Sequence, residues 1–408
     1  MTDFRAPSMD TVRIGLIGVG HRGSGALARL CKIESARIVA VSDLYADRAE
    51  KGAKIITDAG CAAPKLFFGS EDSWRGLCES GEVDLVYITT PWLCHTPMAV
   101  YAMRCGKHAV TEVPSAMTVE QCWQLVDTAE ETRRHFMMLE NCCYGENELF
   151  AYNLCHQGVL GELVHGEAAY IHDLRQSKLN PESTGGYQGQ WRLAWTQSHN
   201  GNPYPTHGLG PICRDMDINR GDRLVSLVSM SSAALGLSRF AAQRFGSGSR
   251  AAKTAYRQGD MNCSIIRTYR GRTILVQHDT TSPRPYTRLN TISGTKGILQ
   301  DYPLRVALEP NAHSWLPDNE LAELKQRYGH ELWREMGNIA KKNGGHGGMD
   351  FLMDYRLIKC LREGLPLDMS VYDAATWCSL VELTETSVAK DGASVEIPDF
   401  TRSGWKRD

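Results

Sequence analysis

The sequence predicts an α/β chain in two parts. A doubly wound parallel domain over residues 1–143 precedes an α+β domain over residues 144–408 whose sheet is open and largely antiparallel. Three observations predict this. Apolar runs of strand length alternate with helical patterns as far as about Cys143, and a glycine-rich turn follows the first run directly. Beyond Cys143 the runs alternate apolar with polar and are joined by short turns.

The first run, Val12 to Ile17, has the length and β-branched content of a buried parallel strand. It leads straight into Gly18-Val19-Gly20-His21-Arg22-Gly23. In a turn of this pattern Gly18 permits the tight bend, Gly20 lets the backbone approach a pyrophosphate, and Gly23 lets the next helix pack closely on the strand. The first N–H groups of that helix would face the phosphates. A second strand, Arg37 to Ser42, ends in Asp43, about 20 residues past the last glycine, where a carboxylate takes the ribose hydroxyls. An ordinary strand–helix turn has no use for that acid. Strand, glycines, helix, strand and acid in this order are the Rossmann fingerprint, and Asp43 makes NAD, rather than NADP, the expected cofactor.

The alternation continues in order. A helix over Ala46 to Ala59 leads to a strand at Lys65 to Phe68, and Val83 to Ile88 is a strand ending at Thr89-Thr90-Pro91. A helix is expected from Thr96 to Cys105, a strand from His108 to Thr111, a long amphipathic helix from Thr118 to Arg134 and a strand from Phe136 to Leu139. Ligands of such a sheet bind at the carboxyl ends of the strands, here Pro91 to His95, Glu112 to Pro114, and Glu140-Asn141. A crossover helix, Glu146 to His156, then precedes a strand with one wet face, Leu163 to His172. Asp173 to Asn219 is rich in Gly, Trp, Tyr and Pro and shows no periodicity, so it reads as a long functional loop. Further strands are expected at 224–231, 262–269, 273–279 and 288–293, and helices at 318–342, 350–363 and 371–390.

Bulk properties bound the function. At 408 residues two domains are expected, and a formal net charge of −2 argues against nucleic acid as the main partner. No apolar segment approaches the length of a membrane span. Met1 to Asp10 lacks the apolar core of a secretory signal, so the chain reads as cytoplasmic as given or as trimmed from a longer exported precursor. The 13 cysteines are an odd count with no CxxC pair, which suits reduced thiols and leaves no zinc spacing. The expected partner is a small-molecule or glycan substrate, and a homo-oligomer is compatible with this composition.

The fingerprint, the strand ending Thr89-Thr90-Pro91, the Glu-x-Pro at Glu112-Val113-Pro114 and the open-sheet second domain together resemble the Gfo/Idh/MocA family of sugar oxidoreductases over nearly the whole chain. Most dehydrogenases of that family read Glu-Lys-Pro, with the lysine assisting proton transfer, and carry an Asp-x-x-x-His pair. Here Val113 replaces the lysine, and the corresponding stretch is His207-Gly208-Leu209-Gly210-Pro211. Those departures resemble glycoside hydrolase family 109 instead, as do Tyr170 to Arg175, Trp191-Arg192, Tyr204 to Pro211 and Gly344-Gly345-His346-Gly347-Gly348.

This second resemblance implies an α-N-acetylgalactosaminidase that uses NAD as a bound catalyst. Its cycle would oxidise the sugar 3-hydroxyl, remove the acidified hydrogen on carbon 2, expel the aglycone by elimination, add water, and reduce the ketone again. Carried over by motif, cofactor contacts would be His21, Arg22, Asp43, Trp92, Leu93, Cys94, His95, Glu112, Val113 and Asn141, with Gly18, Gly20 and Gly23 from the fingerprint. Sugar contacts would be Tyr170, Arg192, Tyr204, Pro205, Thr206, His207 and Tyr286. One departure is that family members tend to read Trp-Glu-Trp-His where this chain has Trp92-Leu93-Cys94-His95.

The chemistry needs groups that titrate near neutral pH, which suits histidine and tyrosine better than unperturbed carboxylates. The candidate catalytic residues are therefore His346, His207 and Tyr170. A lone histidine is more often a satisfied core or surface residue, but His207 lies among Tyr204, Pro205 and two glycines in a stretch read as a loop. Tyr170 at a strand end could equally be core packing. Arg192 beside Trp191 fits either sugar contact or a domain seam. Glu112 and Glu140 at strand ends fit cofactor positioning better than acid–base work. The four glycines around His346 are costly to order unless the backbone must move or reach unusual angles, and one would suffice for a helix cap. The alternatives are a sugar dehydrogenase, disfavoured by the absent lysine, and a non-enzymatic NAD-binding regulator.

Overall fold

The computed structural model describes residues 1–406. Two compact units emerge: Met1–Leu149 with Gly329–Cys378, and Phe150–Tyr328 with the carboxy-terminal residues from Ser379. The first break falls six residues past the expected boundary at 143, but residues 329–378 join the amino-terminal unit, although the sequence suggested one uninterrupted second domain. They do so because the helix Met349–Glu363 packs on the helix His21–Leu30 and on the turn Asn141–Tyr144.

Unit 1 is built on a six-stranded sheet, β1 (Val12–Ile17), β2 (Ala36–Ser42), β3 (Lys65–Phe67), β4 (Leu85–Ile88), β5 (His108–Thr111) and β6 (Phe136–Met138). The spatial order is β3-β2-β1-β4-β5-β6, and every pairing is parallel. This is the doubly wound order whose direction reverses between β1 and β4, where ligands bind at the carboxyl ends. The four residues of β4 and the four of β5 are all buried, as helices on both faces of a parallel sheet require. The helix expected from Thr96 begins instead at Trp92, with Pro91 in extended conformation as its cap. Pro97 sits inside the helix.

Unit 2 is built on an eight-stranded mixed sheet. Its strands are β7 (Leu163–Ile171), β8 (Leu224–Ser231), β9 (Asn262–Thr268), β10 (Thr273–Asp279), β11 (Thr291–Gly294), β12 (Gly297–Gln300), β13 (Arg305–Leu308) and β14 (Val395–Glu396). The order is β13-β12-β11-β7-β10-β9-β8-β14, with β10 and β7 parallel and the other pairs antiparallel. The strand expected from Arg288 starts only at Thr291, because Leu289 and Asn290 adopt φ of +60° and +41° and break the extended run. The stretch 173–219 is not one loop. It holds the helices Arg175–Leu179, Trp191–Ser198 and Thr206–Asp215. The helix expected over 318–342 is two, Asp318–Tyr328 and Glu331–Asn343, the second capped by the His330 ring, which accepts from the Leu332 N–H at 3.1 Å.

Among the described residues no helix is long and apolar enough to cross a membrane.

Candidate functional site

In unit 1 the fingerprint residues have the conformations their roles demand. Gly18 takes a φ of +94°, and a Cβ at Gly23 would lie 1.9 Å from the Gly18 carbonyl oxygen, so the helix can sit this close only on glycine. At Gly20 a Cβ would meet nothing within 4 Å, leaving room for a phosphate to approach the backbone. Gly20 heads the helix His21–Leu30 without a side-chain cap, which suits N–H groups that serve phosphates. Asp43, buried at the end of β2, accepts from the Val19 N–H at 2.7 Å and from the Tyr45 N–H at 3.0 Å. The carboxylate is thereby fixed beside the glycine turn, so these residues fit a dinucleotide.

Around Arg22 the chain ends of three strands converge. The guanidinium donates to Glu112 at 2.9 Å and to Asp350 at 3.0 Å, and its Nη1 lies 3.4 Å from His346 Nδ1. These two carboxylates raise the Arg22 pKa against the opposing cost of burial. Asn141 donates to Asp350 at 2.5 Å, and His346 Nδ1 approaches the same carboxylate at 3.0 Å. Burial would push the Asp350 carboxyl up, but the His346 hydrogen bond and the charges of Arg22 and Arg29 hold it well below the usual range. Arg29 also donates to Asp354 at 2.9 Å, which accepts from the Tyr87 hydroxyl at 2.8 Å. Sequence reasoning missed Asp350, Asp354 and Arg29. The available signal was two acids four residues apart among the apolar residues Met349, Phe351, Leu352 and Met353, one of them four residues after His346.

The His346 loop does reach unusual angles. Gly344, Gly345, Gly347 and Gly348 have φ of +83°, +81°, +72° and +110°, and His346 itself +45°. A Cβ at Gly345 would come within 2.5 Å of the Asp350 side chain, and one at Gly348 within 2.9 Å of the Ala340 carbonyl carbon. The His346 side chain is 57% exposed.

In the first turn of the helix Trp92–Arg104, Trp92 is buried and Leu93 exposed. His95 is buried, with Nδ1 2.7 Å from the Pro114 carbonyl and Nε2 2.6 Å from the Thr90 carbonyl. Burial holds its imidazole below the ordinary range, with the two carbonyls opposing. Its side chain thus ties the end of β4 to the loop after β5. Burial also raises the Cys94 thiol. Val113, in the place of the dehydrogenase lysine, is buried. His21 is exposed.

Unit 2 brings the expected sugar contacts together. Tyr170 on β7 and Tyr204 are both buried, with ring centroids 4.5 Å apart. The His207 ring lies 5.4 Å from Tyr170 and 4.9 Å from Tyr204. His207 was expected on a loop but occupies the first turn of the helix Thr206–Asp215, where Thr206 is fully buried and Pro205 precedes it. The reason is Gly208: a Cβ there would lie 2.4 Å from the Ala169 nitrogen, so only glycine lets this helix lie backbone to backbone on β7 with His207 beside Tyr170. The Arg192 guanidinium sits 5.1 Å over the Tyr204 ring and 4.5 Å over Tyr187. Tyr286 is 41% exposed and accepts from Arg288 at 2.7 Å. Two further groups that sequence reasoning did not single out join this cluster: His172, 2.8 Å from the Tyr170 hydroxyl, and the buried Lys178, which donates to Thr196 at 3.1 Å.

Comparison with known proteins bears on both units. Residues 12–140 match the model of the oxidoreductase family with an NAD-binding Rossmann fold, and residues 144–407 match that of the glycosyl hydrolase 109 C-terminal domain. The chain is 48% identical over 402 residues to an alpha-N-acetylgalactosaminidase of Bacteroides fragilis, covering 98% of this chain and 94% of that protein. It is 48% identical over 405 residues to glycosyl hydrolase family 109 protein 2 of Phocaeicola vulgatus, covering 99% and 98%. Among solved structures, levoglucosan dehydrogenase in complex with NADH and levoglucosan superposes with a TM-score of 0.71 at 18% identity, covering 95% of this chain and all of that one. An oxidoreductase domain protein from Kribbella flavida superposes with a TM-score of 0.72 at 17% identity, covering 96% of this chain and all of that one. The structural likeness establishes the fold, and the amino-terminal domain is an NAD-binding Rossmann domain. With sequence matches that run nearly end to end, the chain belongs to glycosyl hydrolase family 109.

Proposed function

We propose that this chain is an α-N-acetylgalactosaminidase that releases N-acetylgalactosamine by oxidation at the 3-hydroxyl, elimination across carbons 1 and 2, water addition and reduction. The observation that carries the reading is the Tyr170–Tyr204–His207 cluster of unit 2. Its rings lie within 5.4 Å of one another, and Arg192 stands over one face. These are groups for moving protons at a hydroxyl and at an acidified carbon, whereas a direct hydrolysis would ask for a pair of spaced carboxylates. Full-length identity of 48% to a protein named for this activity supports the same substrate.

Bound NAD supplies a reversible two-electron oxidation that is returned within each cycle. Gly18, Gly20 and Gly23 would cradle its phosphates and Asp43 its ribose; Arg22, Glu112 and Asn141 form the network at the strand ends. In this reading His207 takes the 3-hydroxyl proton, Tyr170 takes the proton from carbon 2, and Arg192, Tyr204, Pro205, Thr206 and Tyr286 hold the sugar. His346 assists departure of the aglycone or delivers water, carried on a loop whose four glycines allow it to close.

The test is a panel of aryl α- and β-glycosides assayed without added cofactor. The expected result is release of N-acetylgalactosamine from α-linked substrate with no net NADH, and deuterium at carbon 2 of the product when the reaction is run in heavy water. Stoichiometric NADH on a free sugar would make the chain a dehydrogenase, NAD retention with no turnover of any glycoside would make it a regulator, and product without deuterium would mean direct displacement.

A further inference from the structure

Tyr170 lies one residue from the end of β7, and His172 directly follows that strand. Residues two apart on an extended chain face the same side. The His172 Nε2 lies 2.8 Å from the Tyr170 hydroxyl, and the rings stand at 86°, so the imidazole meets the phenol through its edge, where its lone pair and N–H point. The imidazole is itself held in place. Its backbone N–H donates to the Asp279 carbonyl at 3.0 Å, and the Tyr286 ring packs against it at 5.2 Å.

The titratable and charged groups facing His172 come from four elements. Arg192 lies on the helix Trp191–Ser198, His207 on Thr206–Asp215, Lys178 on Arg175–Leu179, and His278 on β10, with Asp173 adjacent. Burial first, then the charges of Arg192 and His207, hold the His172 imidazole down at about 4, with Asp173 opposing. At neutral pH the ring is therefore uncharged, with one N–H to give and one lone pair to offer. Arg192 lies within hydrogen-bonding reach of Tyr170. An imidazole that accepted the phenol proton would tie up the group the reaction needs. It could take that proton fully only by becoming a cation beside Arg192 and Lys178, which their charges oppose.

We propose that His172 is a positioning residue for Tyr170: its Nε2–H donates to the phenol oxygen, steadies the phenolate that takes the proton from carbon 2, and keeps the O–H so formed directed away from the imidazole. The inference rests on the reading of Tyr170 as a proton-transfer group. No bond to His172 forms or breaks: Tyr170 enters the step as phenolate, takes the proton from carbon 2 as the C–H bond breaks, exchanges it with solvent and returns a proton to carbon 2 when water adds, while the imidazole stays neutral.

The experiment measures kcat and KM from about pH 6 to pH 10 for the NAD-loaded enzyme and for His172→Phe, His172→Gln, Tyr170→Phe and the double variant Tyr170→Phe/His172→Phe. His172→Phe is expected to lower kcat about 10- to 100-fold near neutrality, to leave KM nearly unchanged, and to move the rising alkaline limb of the kcat profile up by about one pH unit. His172→Gln, whose amide N–H reaches the same oxygen, should return the limb and part of kcat. In the Tyr170→Phe background, His172→Phe should cost nothing more, since residues that act as a unit are not additive. If His172→Phe does not fold, as judged by NAD retention and thermal melting, the shorter His172→Asn takes its place; it should show the shifted limb while His172→Gln does not. An unshifted pH profile, or independent losses that multiply, overturns the proposal. If Tyr170→Phe keeps full activity, the reading of Tyr170 itself fails; if Tyr170→Phe is inactive and the His172 variants keep the wild-type profile, only the role of His172 falls.

Discussion

Lys178→Met should stabilise the protein, and by an amount that depends on pH in a defined way. The Lys178 ammonium is buried, with Thr196 Oγ1 as a hydrogen-bond acceptor at 3.1 Å. Burial pushes its pKa from 10.5 down to about 7; the repulsion of Arg192 adds to this, and Asp279 and Asp260 oppose it. A tenfold change in proton affinity is worth about 1.4 kcal/mol, so holding the charge in the folded state costs about 5 kcal/mol at pH 6. Methionine has a similar length and no charge. Removing the ammonium forfeits the bond to Thr196, worth about 1 kcal/mol, while Thr196 still donates to the Arg192 carbonyl at 2.9 Å. The net gain is about 4 kcal/mol at pH 6. The folded pKa is the lower one, so between pH 7 and 10.5 the unfolded chain binds more protons and wild-type stability rises with pH across that window. The advantage of the variant should therefore shrink by about 1.4 kcal/mol per pH unit above pH 7 and be near zero by about pH 10. Urea unfolding of both proteins at several pH values, under reducing conditions, reads this directly. Stability curves that run parallel with pH would refute the argument, because they would mean that Lys178 is no harder to charge when folded than when unfolded.

Other expectations follow from the cofactor unit. Asp43→Ala should cut the NAD retained through purification by tenfold or more, on the order expected for a lost ribose acceptor, and should loosen the Val19 turn that the carboxylate holds at 2.7 Å; bound nucleotide per protein measures it. Gly20→Ala and Gly23→Ala should separate binding from folding. A Cβ at position 20 meets nothing within 4 Å, so the apo protein should melt like wild type while NAD binding weakens, whereas a Cβ 1.9 Å from the Gly18 oxygen should destabilise unit 1 with or without nucleotide. His346→Ala should lower turnover of glycosides with poor leaving groups by about 10²-fold and spare those with good ones, leaving the melt unchanged because Asp350 keeps Arg22 at 3.0 Å and Arg29 at 3.5 Å. Equal activity on both substrate types would remove His346 from the mechanism.

The parallel sheet was legible because β1, β2, β4 and β5 are mainly apolar, β-branched runs of strand length set between helical patterns, as strands covered on both faces are. Where a residue serves packing rather than propensity, the reading failed. Gly208, Gly210 and Pro211 look like loop residues, yet they lie in a helix, and Gly208 is there to let that helix touch β7. The helix after β4 starts at Trp92, four residues before the expected Thr96. β12 and β13 are four residues each, too short for alternation to declare itself. The glycines around His346 were legible as a demand for positive φ, but the partner that fixes the histidine, Asp350, was not, because a single acid at the head of a helix has an ordinary explanation in the helix dipole. Tyr170 and His172 were both in view as letters; their hydrogen bond needed the third dimension.

The discontinuity of unit 1 bears on how the protein is made. Arg22 and Arg29 are made well before Asp350 and Asp354, the aspartates that pair with them and that follow more than 300 residues later. Between Leu149 and Gly329 lie 179 residues that belong to the other unit (329 − 149 − 1). At ~5–20 residues per second, ~10–35 s of synthesis separate the completion of the parallel sheet from the arrival of the segment that neutralises it. A nascent Rossmann sheet can form in that interval with Arg22 already able to pair with Glu112, but Arg29 stays without Asp354 and the helix His21–Leu30 without the cover of Met349–Glu363, so this face of the nucleotide unit is completed only once residues 349–363 have been made. A premature stop between the two segments would leave a domain complete in its strands and deficient in its charges.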